Sequence, residues 1–524
     1  MIGNMNGNNT LGSLFEERVR LYGKKQFIVF ESKEGNITQF TYEEFNIFVN
    51  RFAHGLSKIG VKQYDKVIVH MTNCPEFVMA WFALAKLGAI LVPTNTYSTW
   101  DELDYIIRYS DSSCVITENK FSSMFGSNIR NYSNIRNVII CKDRPSREYG
   151  FLFAEDIMAE EAANPGIAVL PGDISEILFT SGTTARPKGA LLSHEGAVFQ
   201  GKATGYHLWM SPNDRVIIFL PLFHVNAQML TLVPTMAFGG TVILIEEYSA
   251  SKFMRQIRKH KATFTCIVPT ILRTLLKQPK RKYDSDHCMR SSFYALPTSK
   301  EEWEEFENRF KIRLIDGYGL TETFALAIGN PYWGLRKRHC IGLPAVGMEV
   351  RLIDENGETI ETFNQPGEIL LKGNPIFSGY YKNEEETKKA VDEGGWLHTG
   401  DIGYMDPDGY YYFYDRKKEI IKRAGENIST SEVERVLNDH VGIMESAVVG
   451  VPDDMRDEAV FAFVVVKNNN LSADDIRNYC REKMSAFKVP QYINVIDQFE
   501  KTSIGKIKKN KYKDIAKNIY KSLT

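Results

Sequence analysis

The chain has 524 residues, and at about 150 residues per domain this predicts three to four domains or subdomains. Hydrophobic residues make up 43% and charged residues 25%, a globular balance that excludes disordered, collagenous and disulfide-scaffold classes for the bulk of the chain. Lys plus Arg (64) nearly cancels Asp plus Glu (65), and the net charge of −1 argues against a protein that coats nucleic acid, which needs a large basic excess.

Residues 1–12 are polar and uncharged, which gives no secretory leader, and a cytoplasmic location is the expectation. Phe45, Phe48, Val49, Phe52, Leu56 and Ile59 fall on one helical stripe over residues 41–59. Strand 67–71, helix 76–87, strand 89–93, a helix near 101–109 and strand 114–117 follow. The apolar stretch 77–92 is about 16 residues long, too short for a membrane span. The same rhythm returns at 215–220, 241–245 and 264–268, the pattern of α/β units with buried parallel strands. After about residue 340 the strands crowd together at 349–354, 368–372 and 410–414. Turns at Asn356-Gly357, Pro366-Gly367 and Asp408-Gly409 separate them, which predicts an antiparallel region. Beyond Arg416 the pattern is mixed α+β, with strands at 446–451 and 459–467 and a lysine-rich tail. The seven cysteines (74, 114, 141, 266, 288, 340 and 480) form no close pair, so neither a disulfide framework nor a zinc site is expected.

The most informative local run is Ile177-Leu178-Phe179-Thr180-Ser181-Gly182-Thr183-Thr184-Ala185-Arg186-Pro187-Lys188-Gly189. It starts as a strand and becomes a loop of hydroxyls and glycine. Backbone N–H groups, the hydroxyls of Thr180, Ser181, Thr183 and Thr184, and the charge of Lys188 suit phosphate oxygens, and Gly182 permits close approach. The order Lys188-Gly189-Ala190 is not that of a Walker A loop.

This run resembles the signature phosphate loop of the adenylate-forming acyl-CoA synthetases, the family that also holds adenylation domains and luciferases. Five further segments resemble family motifs in family order. They are Tyr318-Gly319-Leu320-Thr321-Glu322-Thr323, Trp396-Leu397-His398-Thr399-Gly400-Asp401, Asp415-Arg416-Lys417-Lys418, Gly425-Glu426-Asn427-Ile428 and Ser503-Ile504-Gly505-Lys506-Ile507. The resemblance runs from about residue 11 to residue 515. It implies a large N-terminal domain, residues 1–415, of two α/β lobes and a β-rich subdomain over about 341–415. A mobile α+β C-terminal domain, residues 416–524, would follow.

The implied activity is ligation of a small carboxylic acid to coenzyme A, with ATP and Mg²⁺, through an acyl-AMP intermediate and release of pyrophosphate and AMP. Two approaching oxyanions need a cation between them, and the resemblance assigns that role to Lys506. Position alone favours a solvated side chain, since eight lysines lie from 501 onward; the Ser503-x-Gly505-Lys506 context singles this one out. Glu322 is the implied Mg²⁺ ligand, a hard carboxylate for a hard ion, and Thr321 a donor to the α-phosphate. Tyr318 would stack on adenine, Asp401 accept from the ribose hydroxyls, and Arg416 add a contact. His224, in Pro221-Leu222-Phe223-His224, would stand between acyl and nucleotide sites, although a lone histidine after an apolar strand is as easily structural. Lys418 would be the hinge, and Gly425 would line the thiol tunnel. One segment departs from the common glycine-rich pattern: Tyr294-Ala295-Leu296-Pro297-Thr298.

Within the family, Asn73-Cys74-Pro75-Glu76-Phe77, Arg456-Asp457-Glu458-Ala459 and Ala486-Phe487-Lys488-Val489-Pro490 look like the crotonobetaine/carnitine–CoA ligases. A carnitine, crotonobetaine or butyrobetaine substrate is the expectation, with a short- or medium-chain fatty acid as the alternative. A stand-alone adenylation enzyme that loads a carrier protein is a further alternative. The lysine-rich tail alternates with Ile504, Ile507, Tyr512, Ile515, Ile519 and Tyr520, the pattern of an amphipathic solvated helix rather than a nucleic-acid-binding arm. No nucleic-acid partner and no transmembrane segment are expected, and the sequence is compatible with a homo-oligomer.

Overall fold

The computed structural model describes residues 9–143, 149–180, 186–295, 300–423, 426–453, 456–467, 471–502 and 506–523. Among them, two sheets of seven and nine strands make up most of a large N-terminal domain. In the seven-stranded sheet the order is Leu152–Phe153, Asn137–Ile140, Cys114–Thr117, Lys66–His70, Ile90–Pro93, Ile174–Thr180 and Lys188–Ser193. All neighbours are parallel except the last pair, which returns antiparallel with Thr180 opposite Lys188. The nine-stranded sheet is parallel through Gln26–Glu31, Thr241–Ile245, Arg215–Ile218, Phe264–Ile267, Ser291–Tyr294 and Arg313–Tyr318, and antiparallel at both edges. Buried parallel strands account for the short unbroken apolar runs seen in the sequence.

Local chemistry fixes the helices between these strands. The stripe around Phe45 folds as the helix Tyr42–Lys58, where Thr41 accepts from the Glu44 amide and the Glu44 side chain reaches back to the Thr41 amide at 2.8 Å. That reciprocal cap satisfies two otherwise orphaned donors. Pro75 opens the helix Pro75–Leu87, and Gly88 closes it in the left-handed region at φ +66°.

The crowded strands form a four-stranded antiparallel sheet, Met348–Ile353, Gly367–Gly373, Leu397–Met405 and Tyr411–Arg416. Beyond it lies a smaller α+β domain built on the long hairpin of Ile443–Asp453 and Asp457–Val466. Alternate residues of that hairpin are buried on opposite faces. Val448, Val460, Ala462 and Val464 pack toward the helices Thr430–Asn438 and Ala473–Lys483. Ala447, Val449, Phe461 and Phe463 pack with Tyr512 and Ala516 of the tail helix Lys509–Leu523. Both faces being covered explains the apolar run in this hairpin. The lysine-rich tail is therefore amphipathic as expected, but docked: its apolar stripe forms half of a core, and only its outer face is solvated. The cysteines are free thiols. Among the described residues, no helix is long and apolar enough to cross a membrane.

Candidate active site

Among the described residues, Tyr318, Asp401, Arg416 and Lys506 come together near the carboxyl end of the strand Arg313–Tyr318. The Tyr318 hydroxyl donates to Asp401 Oδ2 at 2.7 Å, across 83 residues of sequence. Asp401 lies opposite Arg416 in the register of neighbouring strands, and Arg416 Nε is 3.4 Å from Asp401 Oδ1. Thr399 donates to the Ile369 carbonyl at 2.7 Å and accepts from the Asp401 amide at 3.1 Å, which fixes the backbone under that carboxylate. Asp401 is buried, and burial raises its carboxyl above the ordinary value against the pull of Arg416, the Tyr318 hydroxyl and Lys506. Tyr318 is pushed well above the usual phenol value by burial and by the Asp401 charge.

Lys506 stands on a loop closed by the Lys501–Ile507 bridge. The Thr502 amide donates to the Lys506 carbonyl at 2.7 Å, and the Lys506 amide donates to Thr502 Oγ1 at 3.2 Å. Lys506 is exposed by surface area, although protein atoms crowd around it. Dehydration by the surrounding protein, and then Arg416, lower its pKa, while Asp401 and Glu419 pull it back up. Among the described residues no carboxylate is within ion-pair distance of its ammonium, so this cation is uncommitted. Within electrostatic reach of Lys506 is His224, which precedes the turn Val225–Ala227 and whose ring centroid is 4.6 Å from that of Phe223. Burial first, and then the Lys506 charge, lower His224 to about 4, so its imidazole is neutral at physiological pH.

Thr321 and Glu322 open the 3₁₀ turn Thr321–Thr323. Glu322 Oε1 accepts from the Tyr380 hydroxyl at 2.7 Å, and its carbonyl accepts from the Phe377 amide at 2.8 Å. The chain leaves this turn through two left-handed non-glycine residues, Phe324 (φ +51°) and Ala325 (φ +87°), a costly conformation of the kind held at functional sites. Gly319 lies against them: a Cβ there would meet the Ala325 carbonyl oxygen at 2.0 Å. Among the described residues there is no cluster of three or more metal-ligating side chains. A lone carboxylate suits Mg²⁺ shared with substrate phosphates, because that ion keeps several waters. Glu322 fits that use.

Thr180 ends its strand, and Lys188 begins the return strand rather than ending a loop. Lys188 is ion-paired with Glu386, and its Nζ lies 5.1 Å from the centre of the Tyr380 ring. Ser181, Gly182, Thr183, Thr184 and Gly425 lie outside the described residues.

Lys418 is exposed between two anchored neighbours. On one side Arg416 reaches Asp401, and Lys417 Nζ donates to Glu368 at 2.8 Å, both in the antiparallel sheet. On the other side Glu419 pairs with Lys509 at 3.1 Å, and Lys509 also pairs with Glu434 at 2.7 Å, both in the small domain. Burial opposes the Lys509 charge, but Glu434, Glu419 and Asp415 more than offset it and raise its pKa.

Sequence reasoning missed three residues here. Tyr380 and Glu386 reach the site only through tertiary contact and carry no local signal. Asp316 was legible: two residues before Tyr318 in a strand, it shares that residue's face. Burial, against the pull of Arg336, holds its carboxyl well above the usual range.

Comparison with known proteins gives the family. Residues 15–381 match the AMP-binding enzyme family, and residues 432–506 match the AMP-binding enzyme C-terminal domain. The chain is 36% identical over 515 residues to the crotonobetaine/carnitine–CoA ligase of Salmonella typhimurium, covering 96% of this chain and 99% of that protein. The crotonobetaine/carnitine–CoA ligase of Proteus mirabilis is 35% identical over 512 residues, 96% of this chain and 98% of that protein. Among solved structures, the anthranilate CoA ligase AuaEII in complex with anthranoyl-AMP superposes with a TM-score of 0.88 at 26% identity over 98% of each chain. ATP-bound MatB from Rhodopseudomonas palustris gives a TM-score of 0.85 at 26% identity, covering 97% of this chain and 99% of that one. The chain belongs to the AMP-binding enzymes and is an adenylate-forming acyl-CoA synthetase.

Proposed function

We propose that this enzyme activates a carnitine-type acid with ATP and Mg²⁺ and transfers the acyl group to coenzyme A. The observation that carries the reading is the uncommitted ammonium of Lys506, partly desolvated by the protein around it and within electrostatic reach of Asp401, Arg416 and His224. In the first step a carboxylate oxygen of the acid attacks the α-phosphorus of ATP, the bond to the β-phosphate breaks, and pyrophosphate leaves. Lys506 stands between the two oxyanions and lowers the cost of bringing them together. Asp401 and Arg416 hold the ribose, Tyr318 packs on the adenine, and Asp316 offers an acceptor to the adenine amino group. Thr180, Ser181, Gly182, Thr183, Thr184 and Lys188 receive the phosphates, Lys188 after exchanging Glu386 for them. Thr321 donates to the α-phosphate. Mg²⁺ at Glu322 supplies charge neutralisation. The neutral imidazole of His224 walls the carboxylate without repelling Lys506.

In the second step the domain from residue 416 turns about Lys418 and withdraws Lys506. The thiol of coenzyme A, passing Gly425, attacks the acyl carbon, and AMP leaves with the electron pair of the broken mixed-anhydride bond. Similarity to ligases named for crotonobetaine and carnitine supports the betaine substrate.

The test of mechanism is Lys506→Ala. ATP–pyrophosphate exchange is expected to fall by at least about a hundredfold, while thioester formation from supplied acyl-AMP stays within about threefold of wild type. Equal loss in both half-reactions refutes the assignment. The substrate test is ATP- and CoA-dependent turnover over carnitine, crotonobetaine, butyrobetaine and a series of fatty acids. Preference for plain fatty acids over every betaine overturns the substrate and leaves the ligase.

A further inference from the structure

Four charged side chains cluster where the two domains meet, and one contact among them crosses from one domain to the other. Arg273 lies on the helix Pro269–Leu276 of the large domain, and its Nε donates to Glu302 Oε1 on the helix Lys300–Phe310 at 2.9 Å. Its Nη1 donates to Glu445 Oε1 at 3.1 Å, and Glu445 belongs to the small-domain strand Ile443–Asp453. The same carboxylate oxygen accepts from Lys501 Nζ at 2.6 Å. Lys501 is the residue whose bridge to Ile507 closes the loop carrying Lys506. Beside this cluster, Lys277 Nζ lies 3.6 Å from the sulfur of Met444.

The arrangement is neither a scattered surface pair nor a core network. The side chains of Arg273, Glu445 and Lys501 are 21%, 15% and 27% exposed, so their attraction is screened less than on an open surface, yet water still reaches them when they part. Glu445 is the shared member. It sees one cation from its own domain and one from the other, and only the second contact depends on how the domains face each other. We propose that Glu445 is a positioning residue for the first half-reaction: it seats Lys501, and with it the Lys506 loop, against Arg273 of the large domain. Turning about Lys418 separates Glu445 from Arg273 while the Glu445–Lys501 pair travels with the small domain. The Glu445–Arg273 contact therefore favours the orientation with Lys506 at the site and is absent from the orientation that serves the thiol. This inference rests on the reading of Lys506 as the adenylation lysine.

The experiment compares Glu445→Gln, Arg273→Gln, Arg273→Lys and Lys506→Ala. Each is scored for ATP–pyrophosphate exchange and, in the same preparation, for thioester formation from supplied acyl-AMP. The expected result is that Glu445→Gln and Arg273→Gln each lose about tenfold in exchange and keep or exceed wild-type thioester formation. Arg273→Lys, which retains a cation opposite Glu445, recovers most of the exchange. A contact that merely supports the fold lowers both rates together, and that outcome overturns the proposal. Loss of exchange in Lys506→Ala with full exchange in Glu445→Gln also overturns it and leaves the Lys506 reading standing. Undiminished exchange in Lys506→Ala overturns the Lys506 reading itself.

Discussion

Glu176 carries a buried carboxyl that the proposed reaction does not consume, and replacing it with glutamine tests the electrostatics of the strand that leads to Thr180. The residue is fully buried in the strand Ile174–Thr180, four positions before Thr180. Gln228 Nε2 donates to its Oε1 at 2.8 Å, while Glu176 Oε2 and Gln228 Oε1 have no partner among the described residues. Burial outweighs that one hydrogen bond and raises the carboxyl to about 8. In the unfolded chain the same group releases its proton near 4.5. Between those values the folded protein holds a proton that the unfolded chain has lost, so the contribution is fully present below pH 4.5 and disappears as pH rises through 8. At about 1.4 kcal/mol per tenfold change, wild type gives up roughly 3 kcal/mol from this site between pH 5 and pH 8. Glu176→Gln keeps the shape and cannot ionise. Denaturant unfolding across this range is expected to show the variant within about 0.5 kcal/mol of wild type at pH 5 and roughly 3 kcal/mol more stable at pH 8. Stability–pH curves that run parallel for the two proteins refute the argument, because they mean that the carboxyl is already ionised in the fold.

Gly319→Ala should lose about a hundredfold in ATP–pyrophosphate exchange, since its new methyl meets the Ala325 carbonyl at 2.0 Å and must displace the turn bearing Thr321 and Glu322. Gly172→Ala, with nothing within 4 Å of the added carbon, should match wild type in the same assay. The pH profile of exchange should show no limb near 6.5, because His224 is neutral down to about 4. Its alkaline limb should fall below the ordinary lysine value of 10.5, because burial lowers Lys506. An inflection near 6.5 that disappears in His224→Ala contradicts the first statement, and a limb at or above 10.5 the second.

The architecture was legible because short apolar runs of four to six residues between helical stripes have few solutions other than buried parallel strands. The turn from α/β to antiparallel near residue 340 was legible through the glycine-bearing turns that separate closely set strands. The tail shows what composition hides. Lysines at every second or third position read as solvated, yet Tyr512 and Ala516 complete a core and Lys509 is locked among Glu419 and Glu434. At the site, contiguous motifs were readable, since Tyr318, Thr321 and Glu322 fall within five residues of each other. The contacts that shape them were not. Tyr380 bonds Glu322 and Glu386 holds Lys188 across 58 and 198 residues, and pairing at such separations leaves no periodic trace in a single sequence.

The anchoring on either side of Lys418 has a consequence for local concentration. A slack linker would let the small domain wander, and the ammonium of Lys506 would spend most of its time far from any bound nucleotide. Here Arg416 and Lys417 are fastened to one domain and Glu419 to the other, so the tether has the length of a single residue. On the proposed mechanism, a joint that short would keep the ammonium at high effective molarity near the α-phosphate and still leave two backbone torsions with which to remove it.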